Sequence, residues 1–209
     1  MRHNSTYNKE KIEVIVGTMY SGKTLALKER GNRAEKYAQI DIQYFSPDID
    51  NRDNRAAVGG QKLGTGISLM GALMESGFNN GLVLMDEGQF YDASIVQAIQ
   101  LAKLKGYNIV IAGLQNDYRG QPFGYMPQIM ALSDVPIDYL YSVCNIEGCS
   151  DDGVLPQRLR NDKPDSALSP TIIIEGKSDN NDLIEYEPRC ETHHIIPDLR
   201  EYLMREATE

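Results

Sequence analysis

The sequence predicts an α/β fold, a mostly parallel sheet with helices on both faces followed by a small loop-rich module, and three observations carry that expectation. Short apolar runs alternate with segments of helix-forming composition over the first 140 residues. A glycine-rich turn follows the first of those runs. Beyond residue 140 helical periodicity disappears, Gly, Asp and Asn become common, and all three cysteines of the chain lie there.

Taken in order, Ile12 to Val16 is a β-rich run that meets Gly17, and TLALKERGNRAEKYA from Thr24 reads as a helix weakened by Gly31. Asp41 to Phe45 is a second strand. The polar stretch SPDIDNRDNRAAVGGQKLGTG that follows predicts a long loop. A helix around Ser68 to Glu75, an apolar strand Leu82 to Met85 ending at Asp86 and Glu87, a helix near Ala93 to Lys105 and a strand Asn108 to Ala112 complete the alternation. In such a sheet the ligand site is expected beyond the carboxyl ends of the strands. In the later module Ile172 to Ile174 is the one strong strand signal before Cys190, and PDLREYLMREATE from Pro197 suits a short helix.

At 209 residues, 41% hydrophobic and 24% charged, the chain can bury a core without staples. Its 21 Lys+Arg against 30 Asp+Glu give a net charge of −9, which argues against duplex nucleic acid or an anionic membrane as principal partner. A small anionic ligand then needs local positive groups. No apolar run approaches the roughly 18 residues of a membrane span, and MRHNSTYNKEK has no hydrophobic signal core, so a cytoplasmic location is expected.

GTMYSGKT, from Gly17 to Thr24, satisfies G-x-x-x-x-G-K-[ST] between an expected strand and an expected helix. Glycines let consecutive amides turn toward phosphate oxygens, and the following helix adds its positive end. Lys23 would reach the outer phosphates of a nucleoside triphosphate, and the Thr24 hydroxyl would ligate Mg²⁺. Such a site needs an acid at the end of another strand. LVLMDEGQF supplies Asp86, which can hold Mg²⁺ through water, and Glu87, a candidate general base, although two acids after a buried strand also suit a solvated turn.

Cys144, Cys149, Cys190 and His193 form the pairs C-x₄-C and C-x₂-H, which could close a tetrahedral Zn²⁺ site. His194 could replace His193, and buried free thiols with surface histidines are the alternative to any metal. A structural zinc would have a task, because residues 150–189 hold too few apolar residues to order themselves.

Four segments in order, GTMYSGKT, DEGQF at 86–90, AGLQNDYRGQPFG at 112–124, and QRL at 157–159 with YEPRC at 186–190 and a His, resemble the type II thymidine kinases. The resemblance implies a P-loop NTPase-like α/β domain over 1–140, a zinc-binding lasso domain over 141–196 that folds over the nucleoside, and a tail over 197–209. It also implies transfer of the γ-phosphoryl of ATP to the 5′-hydroxyl of thymidine. Gly17, Thr18, Met19, Tyr20, Ser21, Gly22, Lys23 and Thr24 would then cradle the ATP phosphates, with Asp50 and Arg52 of SPDIDNR beside them, Asp86 and Gln89 in the Mg²⁺-nucleotide site, and Glu87 as the base. Met19, Phe90, Leu114, Tyr118, Phe123 and Tyr186 would enclose the nucleoside, whereas spacing alone reads Met19 and Leu114 as core packing. Ser46 stands where the family usually has Lys, and Tyr118 where it has Phe. Pro156 replaces a Thr beside the thymine 5-position in many members, which keeps deoxyuridine or another 5-substituted pyrimidine deoxynucleoside as an alternative substrate. A regulator that binds nucleotide without phosphoryl transfer is a further alternative. The resemblance also implies a homotetramer and feedback inhibition by thymidine triphosphate.

Overall fold

The computed structural model describes residues 10–38, 40–48, 61–75, 81–177 and 181–208. Its elements in chain order are β1 (Ile12–Gly17), α1 (Lys23–Arg33), β2 (Ile42–Ser46), β3 (Gln61–Lys62), α2 (Gly66–Glu75), β4 (Gly81–Met85), α3 (Ile95–Leu104), β5 (Tyr107–Gly113), α4 (Met126–Ala131) and β6 (Asp138–Leu140), then β7 (Ser142–Val143), β8 (Asp152–Gly153), β9 (Leu155–Arg160), β10 (Lys163–Pro164), β11 (Gly176–Lys177), β12 (Leu183–Arg189) and α5 (Leu199–Glu206).

Two compact units emerge. The first comprises residues up to Val16, Gly22–Gln115 and Phe123–Leu140; the second comprises Gly17–Ser21, Asn116–Pro122 and Tyr141 onward. In the first, six strands form a sheet in the order β3-β2-β4-β5-β1-β6, and β3–β2, β2–β4, β4–β5 and β5–β1 pair in parallel. Every residue of β4 and β5 is buried, which explains why they read as continuous apolar runs rather than alternating ones. Val14, Val83, Met85, Ile109 and Ile111 meet α2, α3 and α4 through Leu69, Leu73, Ile95, Ile99 and Ile129. Ile15, Leu82, Leu84, Val110 and Ala112 meet α1 through Leu27. Helices therefore cover both faces, as the sequence predicts.

The helix from Lys23 continues through one π-helical turn at Ala34–Ala38. Gly31 is no mere weakness in it: a Cβ there would overlap the Tyr44 hydroxyl, so the glycine lets α1 lie close on β2. The stretch expected as one long loop includes a two-residue strand, β3, at Gln61–Lys62; its residues 49–60, with Asp50 and Arg52, lie outside the described residues.

The second unit corrects the sequence reading. Ile172 to Ile174 forms no strand, and Ile172 and Ile174 are exposed. The strands are instead β10-β9-β12-β11, built on the antiparallel pair β9–β12 from Leu155↔Arg189 to Arg160↔Ile184, with β7–β8 as a separate ribbon. LPQRLR and LIEYEPR carry Pro and charge at positions where strand composition would be apolar, so their pairing is concealed. The tail helix α5 forms as expected. Both apolar clusters of the described residues belong to the first unit; the second buries Gln157, Arg158, Asp165, Asp117 and Arg119 alongside Tyr118, Ala167 and Ile184. Among the described residues no helix is long and apolar enough to cross a membrane.

Candidate active site and metal centre

The parallel strands β1, β5 and β4 bring three carboxyl ends to one edge, with β5 in the middle. The glycine-rich loop leaves β1 there. The Ser21 amide donates to the Thr18 carbonyl at 3.4 Å, Tyr20 turns with φ 63°, and Gly22 precedes α1 with φ 90°, a conformation that favours glycine. Lys23 is buried at the start of the helix. Thr24 next to it donates its hydroxyl to Asp86 Oδ2 at 2.7 Å, which joins the start of α1 to the end of β4.

Asp86 is buried, and burial is the main reason its carboxyl is held above the usual carboxylate range; the adjacent Glu87 adds to this, against the Thr24 and Glu87-amide hydrogen bonds and the Lys23 charge. Two buried carboxyls side by side are costly unless a cation joins them. The Thr24 hydroxyl and the Asp86 carboxylate are hard oxygen donors of the kind Mg²⁺ takes, so these residues fit that ion.

Glu87 adopts a left-handed backbone conformation at φ 52° and ψ 45°, unusual for a residue with a side chain. Its neighbours stabilise that geometry. The Glu87 amide donates to Asp86 Oδ1 at 2.9 Å, while Gln89 Nε2 donates to Glu87 Oε2 at 2.6 Å. Gln89 Oε1 in turn accepts from the Leu114 amide just past β5 at 2.9 Å, so one buried amide side chain ties the base candidate to the adjacent strand end. Phe90 and Phe123 meet edge to face with centroids 5.5 Å apart in the same unit.

In the second unit Tyr118 and Tyr186 have partners that the sequence does not reveal. Tyr118 is buried, its hydroxyl donates to the carbonyls of Ser166 at 2.8 Å and Ser169 at 3.0 Å, and the Arg158 guanidinium lies 3.4 Å from its ring centre. Tyr186 donates to the Ile173 carbonyl at 2.7 Å. Both tyrosines thus fasten the segment 166–173. Arg158 Nε pairs with Asp165 at 2.8 Å, and Arg119 pairs with Asp117 at 2.9 Å while bonding the Ala167 carbonyl at 2.7 Å. Arg158, Asp117 and Arg119 lie in segments that carry the family resemblance, but neither their role nor that of Asp165 is legible there, because an Arg or Asp in a polar stretch reads as solvated.

The cysteines and one histidine converge. The ligand atoms of Cys144, Cys149, Cys190 and His193 all lie within 4.8 Å of one another. His193 Nδ1 is 3.2 Å from Cys190 Sγ and 3.5 Å from Cys144 Sγ, and Cys149 Sγ is 4.0 Å from Cys190 Sγ. Ligand atoms around a tetrahedral Zn²⁺ lie roughly 3.5–3.8 Å apart, so the donor set fits zinc. The residues between Cys144 and Cys149 form a turn in which the Cys149 amide donates to the Ile146 carbonyl at 3.0 Å. His194 turns away, its Nε2 lying 3.0 Å from the Tyr118 carbonyl and 3.2 Å from that of Pro156, so His193 is the ligand candidate. Burial opposes ionisation of Cys144, yet amides of Cys190 and Ile146 and the neighbouring His193 and Cys190 bring its thiol down to about 6. Cys149 is pushed up to about 11: its bond with Asp151 favours the thiolate, but desolvation and the crowding thiols Cys144 and Cys190 outweigh it. Thiols arranged this way need a cation to become thiolates together.

Among solved structures, domain III of the Thermotoga maritima replication initiation protein DnaA is similar at 15% identity and a TM-score of 0.39, over 66% of this chain and 56% of that one. The chain therefore spans little more than half of that domain's length, and the likeness carries no argument about function. The match to a family is of another order, since residues 10–194, which include the glycine-rich loop, Asp86, Glu87 and the Cys/His cluster, fit the thymidine kinase family. Most of the chain is covered, and the protein belongs to the thymidine kinase family.

Proposed function

We propose that the protein transfers the γ-phosphoryl of ATP to the 5′-hydroxyl of thymidine. The observation that supports this most is the Thr24–Asp86 hydrogen bond beside Glu87, because it brings the residues proposed as metal ligands and as base together where α1 starts and β4 ends. In the proposed reaction the 5′-oxygen attacks the γ-phosphorus, the bond from that phosphorus to the bridging oxygen breaks, and ADP leaves. The 5′-hydroxyl proton passes to the Glu87 carboxylate. Gly17 to Thr24 hold the phosphates, and Lys23 offsets charge on the outer ones. Mg²⁺ held by Thr24 and Asp86 supplies charge neutralisation when bound. Gln89 keeps the Glu87 carboxylate in place.

Met19, Phe90, Leu114, Tyr118, Phe123 and Tyr186 are the residues proposed to enclose the nucleoside, Tyr118 acting through the segment it fastens. Asp50 and Arg52 are proposed near the phosphates. We assign nucleotide binding to residues 1–140 and nucleoside binding to the zinc-held lasso at 141–196, with 197–209 as a tail. A homotetramer in the cytoplasm, inhibited by thymidine triphosphate, completes the reading; light scattering and inhibition kinetics test the assembly and the feedback.

Pro156 supports a second reading of specificity. It is buried in β9, and a proline cannot offer the hydroxyl of the Thr it replaces. A competition assay between thymidine and deoxyuridine decides: thymidine with the higher kcat/KM supports the assignment, and deoxyuridine with the higher value overturns it.

A further inference from the structure

The first half of the glycine-rich loop, Gly17–Ser21, belongs to the same compact unit as the Cys/His cluster. Its anchor there is chemical. Thr18 is 2% exposed, its hydroxyl donates to the Gly153 carbonyl at 2.6 Å, and it lies 2.7 Å from the Ser142 hydroxyl. Ser142 Oγ is itself 3.0 Å from the Gly153 carbonyl. Two hydroxyl protons and one carbonyl can satisfy this triangle completely, with Ser142 donating to Thr18 or to the shared carbonyl. The fit leaves no slack: a Cβ on residue 153 would lie 2.8 Å from the Pro188 side chain and 3.0 Å from Ser142 Oγ.

Ser142 and Gly153 are paired residues of the β7–β8 ribbon, and the Cys144 amide extends that ladder by donating to the Asp151 carbonyl at 3.0 Å. Burial alternates along Ser142, Val143 and Cys144, which puts Ser142 and the metal-ligand candidate on one face of the strand. On the loop side, the Thr18 carbonyl closes the turn by accepting from Ser21. A residue whose side chain is pinned to the ribbon and whose carbonyl closes the loop sets where the following amides point.

We infer that Thr18 and Ser142 are positioning residues for nucleotide: their hydroxyls lock Gly17–Ser21, the first half of the phosphate loop, to the strand that leads to Cys144, and affinity for MgATP depends on that lock. The inference rests on the nucleotide-binding reading above. Neither hydroxyl takes part in phosphoryl transfer.

The test replaces Thr18 by Val, which keeps the shape and removes the hydroxyl, and reads the MgATP dissociation constant by calorimetry together with zinc content and steady-state kinetics. Losing a buried hydrogen bond of this kind should raise the dissociation constant and the KM for ATP about tenfold, with the nucleoside KM and the zinc content little changed. Thr18→Ser, which keeps the hydroxyl, should recover most of that loss. Ser142→Ala should weaken MgATP on the order of threefold, and the double variant should lose less than the sum, because the two hydroxyls share one network. A folded, zinc-replete Thr18→Val protein with wild-type MgATP affinity would overturn the inference, as would an equal rise in both KM values. Should Thr18→Val not fold, Ser142→Ala decides by the same two readings. Wild-type protein that binds no MgATP would sink the nucleotide reading itself, a result distinct from either.

Discussion

Gly31 and Glu87 show how a single residue is set by its neighbours. Propensity alone ranks Ala above Gly in a helix by about 1 kcal/mol, so Gly31→Ala should stabilise α1 if only the helix mattered. Here a Cβ would collide with the Tyr44 hydroxyl and press on Leu84. We therefore predict that Gly31→Ala lowers stability by about 1–3 kcal/mol, and that adding Tyr44→Phe recovers much of it, both read from urea unfolding followed by circular dichroism. The sequence disclosed Gly31 as an oddity but not its reason, since the reason lies on β2. Asp86 and Glu87 were legible as a pair from their place after an apolar run. The left-handed turn at Glu87 and the bridge through Gln89 were not, because they depend on the end of β5. Two adjacent buried acids destabilise the ligand-free protein, so Asp86→Asn should raise its thermal midpoint while abolishing turnover; an unchanged or lowered midpoint would contradict the electrostatic account.

Elements of the first unit were legible because β1, β4 and β5 carry the apolar runs Val14–Val16, Leu82–Met85 and Ile109–Ala112, with segments of helix-forming composition between them. The strands β9 and β12 were not. What orders them is a charged network rather than an apolar face, and a network of that kind has no periodic signature. Arg158 is fully buried against Asp165, which also receives Arg160 at 3.0 Å. Burial alone would raise the Asp165 carboxyl, yet the hydrogen bonds from Arg160 and Ser169 and the charges of Arg158 and Arg160 hold it below the usual range. A carboxyl depressed in the fold contributes stability that is complete above its unfolded value near ~4 and is lost as pH falls through the lower folded value. Thermal midpoints measured across that acid range should fall with this slope in the wild type and less steeply in Asp165→Asn. At neutral pH Asp165→Ala should cost about 3–5 kcal/mol, because it strands the Arg158 charge; a loss under about 1 kcal/mol would rule the network out as the unit's main support.

At the scale of the whole molecule, one unit packs apolar residues on a parallel sheet, and the other buries ion pairs and gathers a Cys/His cluster. Metal should matter unequally to them. Purified protein is predicted to hold one zinc per chain by elemental analysis, and Cys190→Ser should lose the metal and the circular dichroism of β9 and β12 while the parallel sheet persists; retention of zinc by that variant would contradict the assignment. The Cys/His cluster was readable from spacing, apart from the choice of His193 over His194, which the carbonyls of Tyr118 and Pro156 make. The central claim is that a carboxylate held at the end of β4 deprotonates a sugar alcohol for attack on ATP. Turnover of [γ-³²P]ATP with thymidine, in wild type and Glu87→Gln, tests it most directly. Labelled thymidine monophosphate is expected from the wild type, and a loss of about 10²- to 10⁴-fold in the variant with ATP binding retained. No labelled monophosphate from metal-replete wild type, or undiminished turnover in Glu87→Gln, would contradict it.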